Sequence, residues 1–276
     1  MAAAGGIVKA RRSLGPGAED WQVDGASLAA LREAAQLAAG GLPVDICVQP
    51  AAGRRKRLLV ADMDSTIIGC ECLDELADFA GRKAEVAAIT ERAMAGEIGF
   101  EGALRERVAM LAGLELDALD QCYAARVRLN PGARTLVATM AAHGARCVLV
   151  SGGFRSFTAR VAAAAGFHDD RANTLIDDGS RLTGKVGEPI LGREAKLAAL
   201  EAETAALGVG VDAALAVGDG ANDLAMIRAA GLGVAYRAKP VVAAEADARL
   251  DHADLTALLY FQGYSATEFA PADRAA

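Results

Sequence analysis

The segment LLVADMDST constrains the fold of this chain most, because it begins as a buried strand and ends among carboxylates. Continuous apolar runs of this kind, rather than alternating ones, are typical of parallel strands covered on both faces. Helical patterns follow two of four such runs, and this succession predicts an open α/β sheet. The predicted strands are Leu58–Met63, Arg146–Val150, Ala214–Val217 and Leu232–Tyr236, and the predicted helices that follow are Phe154–Ala165 and Asn222–Ala230.

A long helical stretch separates the first two predicted strands. Residues 68–130 exceed the length of one crossover helix, so they are predicted to form an inserted helical cap domain. Residues 56–67 and 131–265 are predicted to form a Rossmann-like α/β core. Within the core, Asp178-Gly179 lies between two short strand-like runs and predicts a hairpin over Thr174–Val186.

The first 55 residues carry no chemistry-bearing motif and are predicted to be a short N-terminal accessory region with a linker. The pattern predicts a helix over Ala26–Ala39 and a short strand over Asp45–Val48. The basic run Arg54–Arg57 is interpreted as a solvated part of the linker, because the chain as a whole is acidic.

Composition excludes several kinds of partner. A net charge of −7 argues against nucleic acid, since nucleic-acid binders usually present a clustered basic face. No apolar run approaches the ~18 to 20 residues that span a bilayer, so no membrane partner is expected. The 5 cysteines have irregular spacing and predict no disulfide framework, which favours a reducing cytoplasm. The sequence leaves the oligomeric state open, a homodimer included.

Three of the predicted strands end in polar turns. Ligands of open parallel sheets bind at the carboxyl ends of the strands, so we expect these turns to converge on one site. The turns are ADMDST at 61–66, VSGGF at 150–154 and VGDGANDL at 217–224, and the carboxylates that they would gather are Asp62, Asp64, Asp219 and Asp223.

A cluster of four carboxylates requires a cation. Two like charges ~4 Å apart cost on the order of 4 kcal/mol at an effective dielectric constant near 20. Hard oxygen ligands without His or Cys predict Mg²⁺ as the cofactor. A lone Asp-x-Asp pair is most often a solvated loop, and the second strand that ends in GDGAND favours the metal site.

The turn at Ser151, Gly152 and Gly153 offers a hydroxyl and free backbone N–H groups just before a predicted helix. Such a turn can bind an anion, although most Ser-Gly-Gly sequences are only turns. Lys196 lies in a predicted helix, where most lysines are solvated, so the pattern alone assigns it no function.

These motifs resemble, in order and type, the four motifs of the haloacid dehalogenase-like phosphatases. Longer blocks, among them DMDSTIIGCECLDELA and AVGDGANDLAMIRAAGLGVAYRAKP, are similar to the phosphoserine phosphatases of that superfamily. The resemblance covers about residues 57–260 and every catalytic motif position. Related bacterial enzymes carry a longer, ACT-like region before the core, and the resemblance implies a shortened form of that region here.

The resemblance implies a two-step phosphoryl transfer. Asp62 would be the nucleophile that forms an aspartyl-phosphate, and Asp64 would protonate the leaving oxygen and then activate water. Mg²⁺ would be held by Asp62, the backbone carbonyl of Asp64 and Asp219. The phosphoryl oxygens would be bound by Ser151, Gly152, Lys196 and Asn222, with Asp223 and Gly153 in supporting positions.

The resemblance also implies that the helical insertion selects a small phosphomonoester substrate. Glu71 would pair with the ammonium group of O-phospho-L-serine, and Arg107 would bind its carboxylate through two parallel hydrogen bonds. Phe100 and Arg107 are seven residues apart, so a continuous helix would place them on one face. The spacing of Phe100 and Met94 is by itself typical of core residues, and the resemblance makes them lid residues.

The expected activity is hydrolysis of O-phospho-L-serine to L-serine and phosphate, the last step of serine biosynthesis. A phosphotransferase, or a phosphatase for a related amino-acid phosphate such as phosphohomoserine, stays open because Glu71 and Arg107 do not fix the acceptor. A non-catalytic phosphoserine-binding protein is an alternative of another class, and the intact pair of Asp62 and Asp64 argues against it.

Overall fold

The computed structural model describes residues 5–94 and 97–271, without the side chain of Met94. Short helical turns at Met63–Ile67, Val211–Ala213, Ala221–Asp223 and Ala266–Glu268 supplement the main elements. In chain order the strands and helices are β1 (Ile7–Gly15), β2 (Ala18–Asp24), α1 (Leu28–Ala39), β3 (Leu58–Ala61), α2 (Cys72–Phe79), α3 (Lys83–Met94), α4 (Phe100–Ala109), α5 (Asp117–Arg126), α6 (Ala133–Ala142), β4 (Arg146–Phe154), α7 (Arg155–Ala165), β5 (Asp169–Asn173), β6 (Leu175–Asp177), β7 (Leu182–Val186), α8 (Arg193–Ala206), β8 (Ala214–Gly218), α9 (Leu224–Ala229), β9 (Leu232–Tyr236), α10 (Pro240–Ala243), β10 (Ala248–Leu250) and α11 (Ala257–Phe261).

The central sheet has six parallel strands in the order β10-β9-β8-β3-β4-β5. Strand β3 lies between β8 and β4, and all four of its residues are fully buried. Leu59 and Ala61 belong to the hydrophobic core on one face, whereas Leu58 and Val60 belong to the core on the other. Alternating residues therefore enter two cores, which is why the run is continuously apolar and why the predicted open α/β sheet is confirmed.

The N-terminal elements differ from the prediction in part. Ser27 caps α1 by accepting a hydrogen bond from the backbone of Ala30, which confirms the predicted helix. The predicted strand over Asp45–Val48 is wrong, because these residues pair with no strand. The Asp45 carboxylate instead accepts hydrogen bonds from the backbone N–H groups of residues 251–253. The sequence did not predict β1 and β2, because most of their residues are exposed and carry no apolar alternation.

Helices α2–α5 form the insertion between β3 and α6, and its two connecting segments are tied together. Ile68 and Leu129 form an antiparallel bridge, and the Asn130 backbone N–H donates to the Ile67 carbonyl over 2.8 Å. The side-chain amide of Asn130 also donates to the Thr66 carbonyl over 2.8 Å. The chain therefore leaves and re-enters the sheet layer at one point, directly after the turn that carries the Asp62–Asp64 pair. No helix within the described ranges is long and apolar enough to cross a membrane.

The hairpin β6–β7 packs against the insertion. Gly113 donates its backbone N–H to the Leu182 carbonyl over 2.8 Å. Gly184, in β7, has a positive φ of 76°, and a Cβ built there would lie 2.9 Å from the Cβ of Ala112. The predicted hairpin is confirmed, and glycine at 184 permits its close approach to α4.

Substitution of Gly184 by alanine tests this contact. We expect Gly184→Ala to lower the free energy of unfolding by about 2 to 4 kcal/mol, because it adds overpacking to the strain of a positive φ. Gly179→Ala is the matched control, since Gly179 has a φ of 93° but no atom within 4 Å of the added Cβ. Urea unfolding measures both, and a loss for Gly184→Ala no larger than that of the control would contradict the contact.

Candidate active site

Asp62 and Asp64 follow β3 in a turn that sends their side chains to different partners. Asp62 is buried, its N–H donates to the Val217 carbonyl over 3.0 Å, and its Oδ1 accepts from its neighbour Met63. The Asp64 Oδ1 accepts the backbone N–H of Cys72 over 3.0 Å at the start of α2. Asp62 is thus held by the sheet, while Asp64 is held by the insertion.

Lys196, on α8, lies between two buried carboxylates. Its Nζ is 2.7 Å from the Asp62 Oδ1 and 2.5 Å from the Asp223 Oδ1. The Asp223 Oδ2 accepts the backbone N–H groups of Gly220 and Asp219. Burial acts to lower the pKa of Lys196, but the two carboxylates raise it above its ordinary value. Lys196 is therefore a permanent cation beneath the site.

Three carboxylates form a compact group, with oxygens of Asp62, Asp219 and Asp223 within 4.8 Å of one another. Thr66 Oγ1 donates to the Asp219 Oδ1 over 3.2 Å. Burial, reinforced by Asp223, raises the pKa of Asp219 to about 6, and burial also raises that of Asp62. A divalent cation would relieve this destabilisation, and the all-oxygen donor set fits one. Of the four carboxylates that were predicted to gather, Asp62, Asp219 and Asp223 form this group, and the Asp64 side chain lies outside it.

The Ser151–Gly153 turn lies against Asp64. Ser151 Oγ accepts the Gly153 N–H over 2.9 Å and donates to the Asp64 Oδ2 over 3.4 Å. A Cβ at residue 153 would lie 2.9 Å from that Oδ2, so only glycine permits the approach. Burial first, and the charge of Glu71 second, raise the pKa of Asp64 to about 7. Asp64 can therefore hold or release a proton near neutral pH.

The insertion supplies the opposite side of the site. Glu71 accepts a hydrogen bond of 2.6 Å from the Ser65 hydroxyl at the start of α2. The Phe100 ring, at the start of α4, approaches to 3.4 Å of the position where Gly152 would carry a Cβ. Arg107, seven residues after Phe100 on the same continuous helix α4, is half-buried, and its Nε donates to the Ala103 carbonyl. Burial lowers the pKa of Arg107, and the negative charges of Asp74 and Glu71 oppose this decrease.

These groups enclose a cavity of about 340 Å³. Lys196 and Asp223 lie below its floor rather than in its lining, and the Met94 side chain lies outside the described part of the chain. The predicted residues that line it are Asp62, Asp64, Glu71, Phe100, Arg107, Ser151, Gly152, Gly153, Asp219 and Asn222.

Other lining residues escaped the sequence analysis. Leu104 lies four residues after Phe100 and Asp74 three residues after Glu71, so helical spacing from the predicted residues was the signal that could have found them. Lys239 lines the cavity, and its backbone N–H donates to the Asp219 carbonyl. The remaining additional lining residues are Leu73, Thr90, Phe154 and Gly220.

Comparison with known proteins follows the geometry of the site. A family profile described as haloacid dehalogenase-like hydrolase matches residues 59–228. The chain belongs to that family. A phosphoserine phosphatase of Polaromonas sp. is 44% identical over 225 residues, which are 79% of this chain and 95% of the relative. The match therefore spans nearly the whole of a protein described as a phosphoserine phosphatase.

Two further similarities are also to phosphoserine phosphatases. A phosphoserine phosphatase of Streptomyces coelicolor is 43% identical over 258 residues, which cover 93% of this chain but only 63% of that longer relative. The solved structure of a phospho-aspartyl intermediate analogue of phosphoserine phosphatase is 34% identical, with a TM-score of 0.69. The match covers 75% of this chain and 98% of the solved chain.

The acidic group predicts stabilisation by a divalent cation. We expect millimolar MgCl₂ to raise the melting temperature of the wild type, because a ligand at 100 times its Kd adds about 2.7 kcal/mol of stability. Asp219→Asn should lose most of this rise, whereas Asp24→Asn, exposed on β2, should keep it. Calorimetry with and without EDTA measures the shifts, and an equal rise in all three proteins would contradict the assigned site.

Proposed function

We propose that this protein is a Mg²⁺-dependent phosphoserine phosphatase that hydrolyses O-phospho-L-serine to L-serine and phosphate, the last step of serine biosynthesis. One observation carries the proposal: the buried Asp62 carboxylate lies in the same cavity as Asp64, and that cavity also contains Glu71 and Arg107. A nucleophile, an acid and two groups for an amino acid therefore line one space. The similarity to phosphoserine phosphatases supports the substrate.

Asp62 is the proposed nucleophile. In the part of the chain that the structure describes, the Asp62 side chain contacts Met63 and Lys196 through Oδ1, which leaves Oδ2 for attack on phosphorus. The new bond joins Oδ2 to phosphorus while the bond from phosphorus to the serine oxygen breaks. Ser151 and the N–H groups of the adjacent glycine turn bind the phosphoryl oxygens, together with Asn222.

Asp64 is the proposed acid and base. With a pKa of about 7, it is available in its protonated form and donates that proton to the leaving serine oxygen. The resulting carboxylate then takes a proton from water as the water oxygen attacks phosphorus. The bond between phosphorus and Asp62 breaks, phosphate leaves, and both carboxyl groups return to their starting states.

Mg²⁺ is the proposed cation. Asp62 and Asp219, with the backbone carbonyl of Asp64, would hold it. Asp223 would support these ligands, because it pairs with Lys196 and accepts a hydrogen bond from the Asp219 N–H. When bound, the cation offsets the negative charge of the carboxylates and of the phosphoryl group.

The insertion is the proposed selector of the substrate. We propose that 68–130 act as a cap domain over a core formed by 56–67 and 131–265, with 1–55 as an accessory region. The tied connection at Ile68 and Leu129 supports movement of the cap as one unit. Glu71 would bind the substrate ammonium group and Arg107 its carboxylate, while Phe100 would cover the cavity.

The surroundings and assembly of the protein are also proposals. Five free cysteines support a reducing cytoplasm. For the assembly we propose a homodimer, because Ile7, Trp21 and Leu37 of the N-terminal region are exposed and a second copy could cover them. A monomer in analytical ultracentrifugation would contradict the homodimer.

Phosphate release tests the reaction. Wild type with MgCl₂ should hydrolyse O-phospho-L-serine, and Asp62→Asn should lower kcat at least about 1,000-fold because the nucleophile is lost. Asp24→Asn serves again as the control and should retain wild-type kcat. No release by wild type would refute the proposal. Faster release from phosphohomoserine, or transfer of phosphate to homoserine in place of water, would favour the alternative activity.

A substrate without a carboxylate tests the role of Arg107. Arg107→Ala should lower kcat/KM for O-phospho-L-serine by about 10- to 100-fold, as loss of a charged hydrogen bond of about 1.5 to 3 kcal/mol implies. The same variant should change kcat/KM for O-phosphoethanolamine little. Arg105→Ala, on the exposed side of α4, is the matched control. Equal losses on both substrates would contradict recognition of the carboxylate.

A further inference from the structure

Asn173, the last residue of β5, is a buried side chain to which the proposed mechanism gives no role. It is 2% exposed and forms three hydrogen bonds to backbone groups. Its Nδ2 donates to the carbonyls of Gly152 over 2.9 Å and Leu191 over 3.2 Å, and its Oδ1 accepts the Leu191 N–H over 2.7 Å. Both N–H groups of the amide and its oxygen are thus used, which fixes two backbone segments relative to each other.

The sheet itself does not hold the turn that Asn173 contacts. The pairing of β4 with β5 runs as far as Val150 with Arg171 and resumes only at Phe154 with Asn173. Residues 151–153 therefore bulge out of the ladder without partners in β5. The Asn173 side chain supplies a bond to the turn that the ladder lacks.

That bond determines the direction of further groups. The Gly152 carbonyl and the Gly153 N–H belong to one planar trans peptide group, so fixing the first orients the second. The Gly153 N–H donates to Ser151 Oγ, and Ser151 Oγ donates to the Asp64 Oδ2. Because the N–H occupies an acceptor position of the hydroxyl, the Ser151 proton is directed towards Asp64.

The second contact of Asn173 acts on another part of the site. Leu191 lies two residues before α8 begins at Arg193, and α8 carries Lys196. The two bonds to Leu191 therefore hold the start of α8 relative to the turn. One side chain links the groups that would bind the phosphoryl oxygens with the helix of the buried cation.

We propose that Asn173 is a positioning residue, which keeps the Ser151–Gly153 turn and α8 in register for binding a phosphoryl group. The proposal rests on the proposed phosphatase function, but affinity for inorganic phosphate does not depend on which ester is the substrate.

Two variants distinguish the hydrogen bonds of the Asn173 side chain. Asn173→Asp keeps the shape and the acceptor for the Leu191 N–H, but it turns a carboxylate oxygen towards two carbonyls. Asn173→Ala removes all three bonds.

Thr158→Val is the matched control. Thr158 is fully buried on α7, and its hydroxyl donates to the Asp170 carboxylate of β5 over 2.6 Å. The substitution removes a buried hydrogen bond to the same strand without touching the turn or α8. It measures what general destabilisation of this region does to activity.

The experiment combines thermal unfolding, the Kd for inorganic phosphate by calorimetry with MgCl₂ present, and kcat and KM with O-phospho-L-serine. Both Asn173 variants should fold, bind phosphate at least 10-fold more weakly, and lose about 10- to 100-fold in kcat/KM, mostly in kcat, because small displacements of positioned groups have effects of this size. Thr158→Val should keep kcat, KM and the phosphate Kd within about 2-fold of wild type.

Several outcomes would overturn the proposal. The first is a phosphate Kd and a kcat of Asn173→Ala that both stay within about 2-fold of wild type. The second is a loss of activity and of phosphate affinity in Thr158→Val as large as that in the Asn173 variants. The third is failure of both Asn173 variants to fold at 25 °C, which would assign Asn173 a purely structural role. If wild type binds phosphate but does not hydrolyse phosphoserine, the proposed function fails separately. The phosphate affinities of the variants still decide the role of Asn173 in that case.

Discussion

The ion pairs of Lys196 with Asp62 and Asp223 are the interaction on which the site depends. They join α8, the end of β3 and the turn after β8 through one buried cation. Two buried carboxylates without that cation would be strongly destabilised, and loss of one partner from a buried ion pair typically costs about 3 to 5 kcal/mol. The Lys196 cation therefore makes it possible for carboxylates to cluster at the end of the sheet. A divalent ion would complete the neutralisation on the open side of the cluster.

Close backbone approach is the second constraint. Gly153 permits Asp64 to lie against the Ser151 turn, because a Cβ at residue 153 would lie 2.9 Å from the Asp64 Oδ2. A side chain there would push the carboxylate away from its place. The cavity of about 340 Å³ is lined both by the ends of the sheet and by the insertion.

The fold class was predictable because buried parallel strands leave a strong signal. Leu232–Tyr236 is a strand with the predicted bounds, since every residue of it is buried. Strand β5, with the sequence DDRAN, has no apolar run, because its polar side chains are satisfied by tertiary contacts such as those of Asn173. The strand prediction for Asp45–Val48 was wrong for the opposite reason. Its apolar residues suggested a strand, but the Asp45 carboxylate holds the segment by accepting a hydrogen bond from the Asp251 N–H.

By itself, the sequence determined that three strands end in polar turns and that the chain carries the motifs of a phosphatase family. Those features are local, because they depend on residue types within a few positions of a strand end. Only the tertiary structure decided that Lys196 is buried between Asp62 and Asp223, that the Asp64 side chain lies outside the acidic group, and that Asn173 is hydrogen-bonded to the Ser151–Gly153 turn. These contacts join residues far apart in the chain, and their strength comes from burial, which no local pattern records.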